Sequence, residues 1–147
     1  MNEPYITAER AVELVRWWAP RLGLAHWQIS VAMTDDPEKP SGACWISDRY
    51  SAATLHLSSV AATNISQHDH DAETTLVHEL LHIANRSQHD EIARVYRQYV
   101  PKPERNLAWK RYDLFHEGGI EQVARALVLT RHGLPDEMMI PVIGATP

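Results

Sequence analysis

Residues 74–84 read Thr-Thr-Leu-Val-His-Glu-Leu-Leu-His-Ile-Ala, an apolar run interrupted by two imidazoles and one carboxylate. A run of this kind predicts a buried helix, and two histidines on a buried helix need polar partners or a metal ion. At 3.6 residues per turn, His78 and His82 lie about 40° apart on one face, so both rings can reach a single ion. Glu79 is rotated about 100° from His78, outside that pair but placed to hold a water at the same ion. Two core histidines satisfied by hydrogen bonds alone are the other reading; the apolar context favours the metal.

At 147 residues the chain fits one domain, residues 1–147, with enough length for a real core. Its 44% apolar and 22% charged residues are ordinary for a globule, and no apolar stretch is long enough to cross a bilayer. The start, Met1-Asn2-Glu3-Pro4, carries no secretory leader. The single cysteine, Cys44, excludes an intrachain disulfide framework and a cysteine-rich zinc ribbon, and it suits a reducing cytoplasm, the expected location. Cys44 itself reads as a small core residue, because no matched base marks it as a catalytic thiol. A net charge of −5 argues against general nucleic-acid binding. One local exception is the cluster Arg94, Arg97, Lys102, Arg105, Lys110 and Arg111, readable as a solvated face or as a docking patch for an acidic partner. Nothing in the sequence speaks to oligomeric state.

Thr7 is a plausible N-cap for a first helix carrying Ala8, Ala11, Val12, Val15, Trp18, Ala19 and Leu22 at helical spacing, with Pro20 to kink or finish it and Gly23 near its end. Trp27, Ile29, Val31 and Met33 then alternate with polar or small residues, the period of a half-buried strand. Ala43 to Ser47 and Ala53 to Leu57 read as two more short strands, a meander of three. The polar cluster His68, Asp69, His70 and Asp71 reads as a loop capping the motif helix, which is expected over about Asp71 to Asn85; weak binding of a second ion is its other reading. Ile92, Val95, Tyr96 and Tyr99 suggest a third helix ended by Pro101 and Pro103, and a last helix is expected from near Ala108 to Arg131, stopped by Gly133 and Pro135. The tail from Glu137 to Pro147 has little signal. Mixed rather than alternating elements predict an α+β domain with the motif helix packed on a small sheet.

A catalytic zinc takes three protein ligands and keeps a fourth position open, so the helix pair is incomplete by itself. A third histidine six residues after the second is absent, since Gln88 stands there and His89 misses by one. The better candidates are Glu117 and Glu121 in Glu117-Gly118-Gly119-Ile120-Glu121, one turn apart on a face that continues through Ala124 and Val128. Carboxylates at the start of an inward stripe are costly to bury unless something positive sits opposite. Gly118 and Gly119 weaken the helix and are expected to let its backbone approach another helix. His116 and Asp113 stay open as ligands, and two solvent-facing glutamates remain the plain alternative.

This arrangement resembles the gluzincin type of zinc peptidase, in which H-E-x-x-H is completed by a glutamate on a later helix. A looser likeness, through Trp18, Leu22-Gly23-Leu24, Trp27, Thr54 to Leu57 and the Glu117 to Leu127 helix, is to small metallopeptidases encoded by phages and prophages. SprT-like proteases share the general plan more distantly. The resemblance implies a zincin-like α+β fold, with an N-terminal helix and the motif helix against a three-stranded or larger sheet and helices after it. It implies Zn2+ held by His78, His82 and Glu117, with Glu121 accepting from a ligand histidine N–H, although the two glutamates could exchange roles. It also implies hydrolysis of a peptide or protein substrate, as an endopeptidase, with Glu79 as general base. An oxyanion donor would come from Tyr96, Tyr99, Tyr112, His89 or His116. The substrate would add as a strand to a sheet edge, for which Ala53 to Leu57 is the candidate. The reading from another class is a non-catalytic, metal-stabilised binding or regulatory module of phage or prophage origin; hydrolysis of a non-peptide amide is a third.

Overall fold

The structure, a computed structural model, describes residues 5–60 and 71–133. His68, Asp69, His70, Pro135 and the tail 137–147 lie outside the described residues, while Gly133, expected as a stop, is the C-cap of α4 at φ 85°. The elements run α1 (Ala8–Arg21), β1 (Gln28–Thr34), β2 (Gly42–Ser47), β3 (Ala52–Ser58), α2 (Asp71–Ala84), α3 (Arg86–Tyr99) and α4 (Lys102–His132), an α+β arrangement. Among the described residues no helix is long and apolar enough to cross a membrane.

Local chemistry sets most boundaries. Thr7 Oγ1 accepts from the Arg10 N–H at 3.2 Å and opens α1, while Gly23, at φ 78°, lets the chain leave it. Pro20 lies inside the last turn and the helix runs one residue past it. The break between α3 and α4 is tighter than the prolines predict. Pro101 is the N-cap of α4 and Pro103 lies in its first turn, where a missing N–H leaves no intrahelical bond unmade, so α4 begins at Lys102 rather than near Ala108. The result is one helix of 31 residues, about 46 Å long.

The sheet is not a meander. Its order is β1-β3-β2, with β1 parallel and β2 antiparallel to β3, so the last strand enters between the first two. Ala53, Leu55 and Leu57 are buried along β3, and a strand that buries every second side chain gains most from a neighbour on each side. Ala53 to Leu57 is therefore the centre of the sheet, and the expectation that it offers a free edge is corrected: β2 is the edge that packs beside α2.

α2 is the middle of the molecule, touching α1, β2, β3, α3 and α4. Leu76, Val77, Leu80 and Ile83 are fully buried or nearly so, as are Leu55, Leu57 and Val128 around them. Each such side chain stabilises the fold by about 1.5–3 kcal/mol relative to exposure. Because α2 is covered on nearly all sides, its carboxylate Glu73, 4% exposed, has to be partnered. Trp18 Nε1–H of α1 donates to it at 2.7 Å, His132 Nε2 lies 2.6 Å from it, and the Arg131 guanidinium at the end of α4 completes the cluster. Arg131 also stacks over the Trp17 ring at 4.1 Å.

Burial alone would raise the Glu73 carboxyl, but the hydrogen bonds from His132 and Trp18 and the Arg131 charge outweigh it and hold it below the ordinary carboxylate value. A group depressed in the folded state stabilises above its unfolded value and loses that contribution as pH falls through the folded one. Chemical denaturation at pH 7 should find Glu73→Gln less stable by about 3 kcal/mol, and the gap to the parent chain should narrow as the pH is lowered below about 4.5. A gap that stays constant into strong acid would contradict this account.

Candidate metal centre

His78 and His82 project from one face of α2 toward α4, where Glu117 and Glu121 meet them. His78 Nε2 lies 3.0 Å from His82 Nε2 and 3.2 Å from Glu117 Oε2, and His82 Nε2 lies 3.3 Å from Glu117 Oε1. His78 Nδ1 lies 3.1 Å from Glu121 Oε2. A carboxylate only accepts, so Nδ1 carries the proton on that side and Nε2 turns its lone pair toward His82 and Glu117. His82 Nε2 and the Glu117 carboxylate meet it there, so three potential ligand atoms converge, bridged by a proton or open to a cation.

A zinc ion fits that geometry. With ligand bonds of about 2.0–2.1 Å, tetrahedral donors sit about 3.3 Å apart, close to the 3.0 Å between the two Nε2 atoms and to the approach of one Glu117 oxygen to each ring. His78, His82 and Glu117 form the group able to hold a metal among the described residues, their donor atoms all within 4.8 Å of one another. Glu121, also paired with Arg125 at 2.8 Å, is the acceptor that fixes the His78 ring. Asp113 and His116 line the same cleft but stand outside the donor group, His116 with its ring centroid 5.9 Å from that of His82. Burial lowers His82 below the ordinary imidazole value against the pull of Glu117, which favours the neutral, ligating form.

Glu117 and Glu121 are less enclosed than an inward stripe predicts, with side chains 45% and 43% exposed at the mouth of the site. The buried part of that stripe begins at Ile120 and continues through Ala124 and Val128. The glycine pair beside them does not serve helix packing: a Cβ at Gly118 or Gly119 would meet nothing within 4 Å.

Glu79 is held in a slot between α2 and β2. The residue is 7% exposed, and burial raises its carboxyl above the ordinary value, opposed by the neighbouring His78 and by a hydrogen bond from Cys44. The Cys44 thiol, pushed up to about 12 by burial and by the Glu79 charge, stays protonated and donates. Cys44 is thus a half-buried residue that packs against the core, as expected, and also walls the cleft. Gly42, at the start of β2, makes the slot possible, because a Cβ there would lie 2.7 Å from Thr75 Cγ2 and 3.0 Å from Glu79 Oε1. Neither residue stood out as functional in the sequence, although a glycine opening a strand is a known mark of close approach.

The open cleft has a volume of about 720 Å3, with residues 42–46 of β2 on one side and Arg86, His89, Asp113 and His116 on the other. Of the five oxyanion candidates, His89 and His116 line it, and Tyr112 Oη lies 3.4 Å from Nδ1 of each. Tyr96 is further along, in ring contact with Trp109 and Tyr112. Tyr99 is 71% exposed, away from the cleft. Set against family models, curated proteins and solved structures, the chain matches none, so its chemistry is read from this site alone.

Gly42→Ala should destabilise the chain by about 1–3 kcal/mol, because either Thr75 or Glu79 must move to admit the methyl group. Denaturant melts of the two proteins check this, and an unchanged midpoint would mean the slot is looser than its geometry indicates.

Proposed function

We propose that this chain is a zinc-dependent metallopeptidase of the gluzincin type, with His78, His82 and Glu117 as ligands and Glu79 as general base. The observation that carries the reading is the convergence of His78, His82 and Glu117 on one point beside a buried, raised carboxylate, in a cleft bordered by a strand with one edge unpaired among the described residues. A helical pair of histidines, a carboxylate from a distant helix and a base one residue after the first histidine are the parts of an open zinc site. A structural site has no use for the base. The small mixed sheet with helices packed about α2 supports a zincin-like fold.

Zinc in this site would supply Lewis acidity to a water and to the scissile carbonyl. The chain's own groups do the rest. Glu79 takes the proton as the water oxygen bonds to the carbonyl carbon, then delivers it to the amine nitrogen as the C–N bond breaks. Burial suits it to both steps, since a carboxyl raised toward neutral pH accepts and releases a proton more evenly. Glu121 keeps the His78 tautomer that leaves Nε2 free to ligate. His116, its Nδ1 held by Tyr112, is the donor best placed for the developing oxyanion.

The substrate lies along β2. With β3 paired on both sides, the outer edge of β2 is the one that faces the cleft, and an extended peptide can add to it by main-chain hydrogen bonds. An open cleft beside a strand edge suits an internal stretch of polypeptide, hence an endopeptidase.

Elemental analysis of zinc-dialysed protein should find about one zinc per chain. Glu117→Ala should reduce that occupancy far more than Glu121→Ala; equal retention in both variants removes Glu117 as a ligand. Glu79→Gln should keep the metal while cutting cleavage of a mixed peptide library by at least about 100-fold. Full occupancy with no cleavage by the parent chain would favour the metal-stabilised binding module instead.

A further inference from the structure

We propose that the outward face of the N-terminal half of α4 is a docking surface for an acidic, amphipathic helix of a partner protein. Leu107, Arg111, Leu114 and Gly118 follow one another at spacings of four, three and four, so they form a single stripe along the helix, with Lys110 and Phe115 flanking it. Leu107 is 58% exposed, Leu114 73% and Phe115 78%, an apolar ridge that no part of the described chain covers. None of these residues lines the cleft, so the surface is separate from the metal site.

Two features say what covers it. The first is charge. Between residues 94 and 111 six cations stand against one carboxylate, Glu104, although the chain as a whole is net −5. Arg94 is engaged by Glu91, and Arg105 caps the Val100 carbonyl, whereas Lys110 and Arg111 have no ion-pair partner among the described residues. Cations alternating with leucines complement a helix whose apolar stripe is flanked by carboxylates. Nucleic acid fits less well, because Leu107 and Leu114 offer nothing to a phosphate or a base and Phe115 alone in the ridge could stack.

The second feature is the glycine pair. Gly118 and Gly119 weaken the middle of a long helix by about 1 kcal/mol each, yet no atom of the chain uses the space they leave. At the end of an exposed apolar ridge, that space lets a partner's backbone come close. Charge and shape thus point to the same occupant.

The experiment is a fluorescence-anisotropy titration of the full chain with a labelled amphipathic helix of glutamates and leucines, run with chelator so that the metal site plays no part. Lys110→Glu combined with Arg111→Glu should weaken binding by about tenfold or more, and Leu114→Ala combined with Phe115→Ala should do likewise. Gly118→Gln should also weaken binding while leaving the thermal midpoint at or above that of the parent, which separates docking from folding. The proposal is overturned if the parent chain does not bind the peptide, if these variants bind it as the parent does, or if an oligothymidylate binds this face more tightly. Sedimentation that shows the parent pairing with itself through Leu114 and Phe115 would also overturn it, by assigning the ridge to a second copy.

Discussion

The antiparallel register of α4 against α2 and α3 is the constraint on which the rest of the molecule depends. At one end Arg131 and His132 meet Glu73; in the middle Glu121 and Glu117 meet His78 and His82; beyond that Tyr112 reaches His89, and Trp109 packs on Tyr96. The pairings step backward along α4 as they step forward along α2 and α3, as two straight helical surfaces require. A slip of one residue on α4 would turn its side chains by about 100°, taking both carboxylates away from the imidazoles. The buried Glu73 cluster guards against such a slip, because an unpartnered carboxylate at 4% exposure is far costlier than a lost surface contact.

The same helix serves two environments. Its C-terminal half buries Ile120, Ala124 and Val128 in the core, while the stretch before His116 packs on α3, a helix with no fully buried residue. The ring contacts among His89, Tyr96, Trp109, Tyr112 and His116 hold that outer pair together and carry two imidazoles to the lip of the cleft. The cleft therefore has its floor on the deeply buried α2 and one wall on a less deeply anchored helical pair.

Much of this was legible in the residues before any fold was known. The apolar spacing of α1, the Thr7 cap, the three strands and the motif helix are short-range matters, fixed by side-chain periodicity within a few turns. So is the convergence of His78 and His82, since helix geometry alone places them. The carboxylate pair at Glu117 and Glu121 was visible as acid beside an apolar stripe. Its division of labour, Glu117 toward both Nε2 atoms and Glu121 toward His78 Nδ1, depends on how far α4 slides along α2, which no local pattern encodes.

What the residues determined by themselves is the set of elements and the groups each carries: a helix with two imidazoles and a carboxylate beside them, a later helix with two acids, and strands that bury alternate positions. Tertiary structure alone decided that β3 enters the sheet between β1 and β2, that β2 is the edge beside the cleft, and that Gly42 and Cys44 shape the slot for Glu79. It also decided that Gly118 and Gly119 face open space. The physical reason is range. Periodicity and capping are settled between residues a few positions apart, whereas strand order and helix register are settled by the burial of the whole core at once.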